Sequence, residues 1–212
     1  MLIVLGGASL AAWVYLAFFH GRFWRADQRL SDTAALDVGA SPNAVPSVVA
    51  VVPAREEAEV IERSIASLLD QDYPGPFSVV LVDDHSDDDT AARARAVAAA
   101  HARGARLEVV RAADRPSGWV GKMWAVHSGV ARALDGPSLP DFVLLTDADV
   151  AHDPGNVRRL VAKAVGAERA DCSSTEPLQL VSLMVLLHCR SAWERLLIPA
   201  FVYFFQKLYP FP

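Results

Sequence analysis

The sequence predicts an α/β sandwich with a mostly parallel sheet, preceded by one N-terminal transmembrane helix. Three observations predict it. An uncharged apolar run, Leu2 to Phe19, fills the N-terminus. From Val48 onward, short β-branched runs alternate with longer segments of helical period. Acidic pairs follow the second and the fourth of those runs, at one edge of such a sheet.

Each element has its own sequence cause. Eighteen residues at 1.5 Å per residue give about 27 Å, enough to cross a bilayer core. Trp13, Tyr15, Phe23 and Trp24 suit an interfacial belt, and Arg22, Arg25 and Arg29 follow the run. The positive-inside bias then keeps everything after residue 20 in the cytoplasm, under the inner membrane. A cleaved signal peptide would carry its basic residues before the run. Ser31 to Ser47 is polar and Pro-containing, a linker.

Ser47 to Val52 is a continuous β-branched run closed by Pro53, as a buried parallel strand requires. Glu56 to Gln71 reads as a helix with Val60, Ile61, Ile65, Leu68 and Leu69 on one face. Val79 to Val82 is a second strand. Asp88 or Asp89 caps the Ala/Arg-rich helix after it, and Gly104 stops that helix. Leu107 to Val110, Lys122 to Leu134 and Phe142 to Leu145 read as strand, helix and strand. Asp153-Pro154 then opens a helix as N-cap and first residue. Leu178 to Leu187 is too short to span a bilayer and reads as a strand or a buried segment. Trp193, Leu196, Leu197, Ala200, Phe201, Phe204, Phe205 and Leu208 keep helical spacing around Pro199. They predict an amphipathic helix, packed on the domain or lying on the membrane surface. The domains so read are an anchor at 1–20, a basic flank and linker at 21–46, an α/β domain at 47–190 and the amphipathic helix at 191–212.

Composition narrows the function classes. Of 212 residues, 52% are hydrophobic and 21% charged, so one domain with a sizeable core is possible. Lys and Arg total 20 against 25 Asp and Glu, a net charge of −5 that excludes nucleic acid as the main partner. Cys172 and Cys189 have no metal-ligand spacing and read as ordinary buried thiols.

The chemistry belongs at the strand ends. Asp83-Asp84-His85-Ser86 follows the second strand and Thr146-Asp147-Ala148-Asp149 the fourth. Carboxylates one residue apart in a turn can hold a divalent cation through oxygen, and a neighbouring pair can accept from a base or a ribose hydroxyl. Lys122 offers charge to a phosphate, with Gly118 and Gly121 allowing close backbone approach. Taken singly, each is ordinary turn chemistry; their joint placement carries the functional reading. His85, His127 and His188 share no ligand spacing and read as structural or surface residues.

From about Pro46 to Pro212 the chain resembles family 2 glycosyltransferases of the GT-A fold. The resemblance rests on Val51-Val-Pro-Ala-Arg-Glu-Glu57, Ser67-Leu-Leu-Asp-Gln-Asp-Tyr-Pro74, Val82-Asp-Asp-His-Ser86, Gly118-Trp-Val-Gly-Lys-Met-Trp-Ala125 and Leu145-Thr-Asp-Ala-Asp149. The fourth string and the tail from Ser191 to Phe205 look most like the hopene-associated membrane glycosyltransferases. The resemblance implies that Pro53, Arg55, Glu57, Asp83, Asp84, Lys122 and Asp147 bind a nucleotide-sugar. It implies that Asp147 and Asp149 hold Mn²⁺ or Mg²⁺ on its diphosphate, and that transfer to a lipid, hopanoid-type acceptor inverts the sugar carbon. The family's usual Asn is Glu56 here, Arg55 stands where many relatives have Tyr, and His127 replaces a common Asn. The resemblance also puts the catalytic base in an acidic pair far beyond Asp149; Asp171, Glu176 and Glu194 are single. That base is therefore expected beyond residue 212, the chain being a fragment. Two rival readings are a catalytically incomplete nucleotide-binding membrane scaffold and a receiver-like signalling domain. The latter needs its acidic pair after the first strand rather than the second.

Overall fold

The computed structural model describes residues 2–20, 30, 45–136, 138–166 and 178–209. The chain divides into two compact units, Ser31–Val181 and a second formed by Met1–Leu30 with Ser182–Pro212.

In the first unit, β1 (Val48–Ala54), β2 (Phe77–Asp83), β3 (Leu107–Arg111) and β4 (Phe142–Leu145) form one parallel sheet in the order β3-β2-β1-β4. The first two crossovers run one way from β1 and the last returns to its other side. This places a topological switch point between β1 and β4, where strand ends splay and ligands enter. Such a sheet must be covered on both faces, and the alternation along β1 shows how. Ala50 and Val52 face a core shared with Ile61, Ile65, Leu68 and Leu69 of α2 (Ile61–Leu69) and Val157 and Val161 of α5 (Asn156–Ala164). Val51, with Val80 and Val82, faces Ala125 and Ala133 of α4 (Gly121–Leu134). Those four α2 side chains are fully buried, each contributing about 1.5–3 kcal/mol of transfer free energy. α3 (Thr90–Ala100) packs on the α2 side. Helix α4 approaches the sheet closely because Gly129 has no side chain. A Cβ there would lie 2.4 Å from Val51 Cγ1 and 2.7 Å from Val82 Cγ2.

Several boundaries differ from expectation. Helix α2 begins at Ile61, not Glu56, because Glu56 sits at φ 54°, outside helical space, and the N–H groups of Glu56, Glu57 and Ala58 are held by the Ser86, Thr90 and Asp88 side chains. Helix α3 ends at Ala100, and Gly104 opens a 3₁₀ turn, Gly104–Arg106. Asp89 sits at the N-cap without a side-chain bond; it is Asp88 whose carboxylate accepts from the Thr90 N–H. Helix α5 starts at Asn156, later than expected; Asp153-Pro154 forms the turn ahead of it, where Asp153 Oδ1 accepts from Gly155 N as an N-cap carboxylate does. Residues 178–187 form neither strand nor buried segment, and Leu180 and Leu186 are exposed.

The second unit holds α1 (Leu2–Phe18) and α6 (Ala192–Leu208). At 17 residues α1 is about 26 Å long. The expectation of a transmembrane helix is not met: among the described residues no helix is long and apolar enough to cross a membrane. Ser191 and Glu194 form a reciprocal capping box that starts α6. The Lys207 ammonium lies over the Trp13 ring at 4.1 Å, and His20 Nε2 is 3.0 Å from the Lys207 carbonyl. Both helices leave their large apolar side chains exposed, among them Leu2, Ile3, Phe18, Trp193, Leu196 and Phe201. Cys189 is half-buried rather than buried. Arg22, Phe23, Trp24, Arg25, Arg29, Asp171, Cys172 and Glu176 lie outside the described residues.

Candidate functional site

Four strand ends converge on one cleft of about 330 Å³. From the end of β1 come Pro53, Ala54, Arg55 and Glu57; from β2, Asp84; from the segment after β3 and the start of α4, Arg115, Gly121, Lys122 and Ala125; from β4, Asp147, Ala148 and Asp149. Of the eight residues expected at the site, seven line the cleft. The eighth, Asp83, is nearly buried at the end of β2, where its Oδ1 accepts from Ser86 N at 3.1 Å and its carbonyl from Ala112 N. It shapes the turn that presents Asp84.

The parallel register produces this convergence. Ala54 pairs with Asp83 at the ends of β1 and β2, and Asp84 N continues the ladder to the Ala54 carbonyl at 2.9 Å. Thr146 N donates to the Val51 carbonyl at 3.2 Å, so Asp147 leaves the sheet beside Pro53 and Ala54.

The cleft sets four carboxylates, Glu57, Asp84, Asp147 and Asp149, against three cations, Arg55, Arg115 and Lys122. Lys122 Nζ lies 2.7 Å from Asp147 Oδ1, and Arg55 Nη1 3.8 Å from Asp84 Oδ2. Burial raises the Glu57 carboxyl above its usual value, and the negative charges of Asp149, Asp147 and Asp88 raise it further against Lys122. Glu57, Asp147 and Asp149 thus repel one another across the cleft. Gly121 admits Asp84: a Cβ there would be 3.1 Å from Asp84 Oδ2. Gly118, at φ +90°, turns the loop ahead of it in a conformation side chains rarely adopt.

Among the described residues no group of three or more His, Cys, Asp or Glu side chains is gathered to hold a metal ion. Asp147 and Asp149 offer part of an oxygen shell, which suits a hard cation whose remaining positions are filled by phosphate oxygens and water.

Glu56 stays out of the cleft lining. It sits at φ 54°, where Asn is several-fold enriched, and its Oε1 accepts from Asp87 N at 2.7 Å. The position thus combines a left-handed backbone with a side-chain acceptor, and Glu56 supplies both here. His85 shares the left-handed conformation at φ 59°, its Nδ1 3.6 Å from Asp84 Oδ1. His127 packs with Trp119 and Trp124, ring centroids 5.0 and 5.2 Å away.

Sequence reasoning missed Arg115. Its signal was its place in the segment following β3, at the edge where the other strand ends meet. It also missed His152, whose Nε2 is 3.0 Å from Thr146 Oγ1.

Residues 49–176 match the family described as Glycosyl transferase family 2. No match was found among curated proteins. Among solved structures the chain is similar to the mannosyltransferase PcManGT from Pyrobaculum calidifontis in complex with GDP-Man and Mn²⁺, at 28% identity and TM-score 0.48, covering 77% of this chain and 41% of that one. It is also similar to M. tuberculosis glucosyl-3-phosphoglycerate synthase, at 26% identity and TM-score 0.45, covering 60% and 43%. S. aureus TarS 1-349 in complex with UDP matches at 24% identity and TM-score 0.40, covering 53% and 30%. The chain therefore spans less than half the length of these structures. The parallel four-stranded sheet flanked by helices is consistent with the GT-A fold. With more than half of its residues matched to the family, the chain belongs to glycosyl transferase family 2.

Proposed function

We propose that the chain is the donor-binding part of a membrane-associated, metal-dependent glycosyltransferase that inverts the sugar carbon and uses a lipid acceptor of the hopanoid type. The observation that supports this best is the convergence of Asp84, Lys122, Asp147 and Asp149 on one cleft at the switch point. In this reading Asp84 and Arg55 receive the nucleoside, with Pro53 and Glu57 shaping its pocket and Asp83 holding Asp84 in place. Lys122 and Arg115 face the diphosphate. Asp147 and Asp149 would hold Mn²⁺ or Mg²⁺, which neutralises the departing nucleoside diphosphate. Lys122 Nζ lies 2.7 Å from Asp147 Oδ1, and a bound cation would compete with the ammonium for that carboxylate.

The lipid part of the reading draws on the second unit. A helix pair with its large apolar side chains exposed suits a lipid surface better than water. Here α1 and α6 act together as the anchor, on the cytoplasmic face of the inner membrane.

Because the chain spans less than half the length of the matched structures, the test reads donor and membrane binding rather than turnover. The full chain is incubated with Mn²⁺, labelled nucleotide-sugars and liposomes containing a hydroxylated polycyclic lipid. The proposal expects one donor to be carried down with the liposomes only when Mn²⁺ is present, and that recovery to be lost in Asp149→Ala. A chain that binds the liposomes but no donor, with or without Mn²⁺, would contradict the donor-site reading.

A further inference from the structure

The hydrogen bonds behind the β4 turn single out a residue outside the cleft. His152 lies three residues after Asp149, and its imidazole is spoken for on both sides. Its Nε2 is 3.0 Å from Thr146 Oγ1, and its Nδ1 is 2.9 Å from Asn156 Nδ2 of α5. The Asn156 amide nitrogen can only donate, so Nδ1 accepts and Nε2 carries the proton that goes to Thr146. Burial lowers the imidazole's pKa and favours this neutral form. The His152 backbone N donates to Ser67 Oγ at 2.9 Å, anchoring the same residue to α2.

Just past the end of α2, the fully buried Gln71 completes the frame. Its Nε2 donates to the Asp153 carbonyl at 2.8 Å, and its Oε1 accepts from Val157 N at 2.9 Å. The turn carrying Asp147 and Asp149 is thus clamped at Thr146, where it leaves β4, and at residues 152–153, where it enters α5. The second clamp refers to Ser67 of α2 and to Gln71 just past its end.

From this geometry we infer that His152 is a positioning residue: held by Ser67 through its backbone N–H and by Asn156 through Nδ1, its imidazole holds Thr146 and thereby the Asp147–Asp149 turn in the conformation that presents both carboxylates to the cleft. The inference rests on the donor-site reading for its consequence, but the clamp itself can be measured without ligand.

Hydrogen exchange of the full chain tests it in four forms: the natural sequence, His152→Ala, His152→Gln and Thr146→Val. Exchange over residues 146–151 should rise about tenfold in His152→Ala while the amides of β1 and β2 hold their protection. The Gln side chain can donate to Thr146 and accept from Asn156, so His152→Gln should recover most of it. Thr146→Val should loosen the turn without disturbing α5, and it decides the matter if His152→Ala does not fold. Mn²⁺ affinity in the presence of UDP or GDP should fall about tenfold in His152→Ala and return in His152→Gln. Unchanged exchange in both His152→Ala and Thr146→Val would overturn the inference, as would a Gln variant no better than Ala. If the natural chain binds neither Mn²⁺ nor nucleotide, the donor reading fails while the exchange result still decides the clamp.

Discussion

Glu57 shows how one side chain reports the state of the whole cleft. Its folded pKa is raised above the usual 4.5, first by burial and then by the charges of Asp149 and Asp147. The sign follows from linkage. A carboxyl that is harder to ionise in the folded state costs stability once the pH exceeds its unfolded value, and the cost is complete above its folded value. Glu57→Gln should therefore raise the melting temperature of the metal-free protein at pH 7, with the gain vanishing below about pH 4. A gain that persists at low pH would mean the substitution acts through packing. Cation binding should have the same direction of effect, because it screens the same three carboxylates. At this scale the sequence was informative wherever a residue directly follows a strand, as with Asp84, Asp147 and Asp149. It was uninformative where the chain loops back. Arg115 reaches the cleft from a segment without regular structure, and His152 acts through partners in α2 and α5 that no local spacing reveals.

The elements turn on α2 and α4. Helix α4 brings Lys122 to the cleft only because its Gly129 turn lies directly against Val51 and Val82. Gly129→Ala should destabilise the protein by about 1–3 kcal/mol despite the better helix propensity of Ala, and should weaken nucleotide binding by tilting the helix start. Chemical denaturation read by circular dichroism checks the first effect; a stability equal to or above that of the natural chain would show that the packing can relax. Strands were legible because a parallel sheet buried on both faces demands continuous β-branched runs, as in Val48–Val52 and Val79–Val82. Helix starts were less so. Glu57 and Ala58 look helical in sequence, yet their amides bond to Thr90 and Asp88, some thirty residues away. Asp153-Pro154 fits a helix opening, yet a local turn wins and α5 starts later. In the first place left-handed Glu56 breaks the helical backbone, and in the second a capping turn comes before the helix. The string Ser67 to Pro74 has its own explanation: Ser67 and Gln71 hold the far end of the β4 turn, and buried Tyr73 donates its hydroxyl to the Pro46 carbonyl at 2.5 Å, with its pKa pushed up to about 12 by burial and Asp141.

At the scale of the molecule, two kinds of surface divide the work. The sheet unit brings seven charged side chains into the cleft at its strand ends, and the α1–α6 unit leaves its large apolar side chains exposed. The first was legible because alternating strands and helices leave few topologies, and all of them bring strand ends to one edge. The second was legible only as composition. A run of apolar residues has the same sequence signature whether it spans a bilayer or lies on one, and the helix that forms is 17 residues long. In the proposed donor site the cleft takes a nucleoside diphosphate with a divalent cation at Asp147 and Asp149. Calorimetric titration of UDP and GDP into the full chain, with and without Mn²⁺, is the decisive measurement. Saturable binding of one nucleotide is expected that requires Mn²⁺ and is lost in Asp147→Asn/Asp149→Asn, whose fold is intact by circular dichroism. Binding of equal strength with and without Mn²⁺, unaffected by the double substitution, would contradict the proposed site.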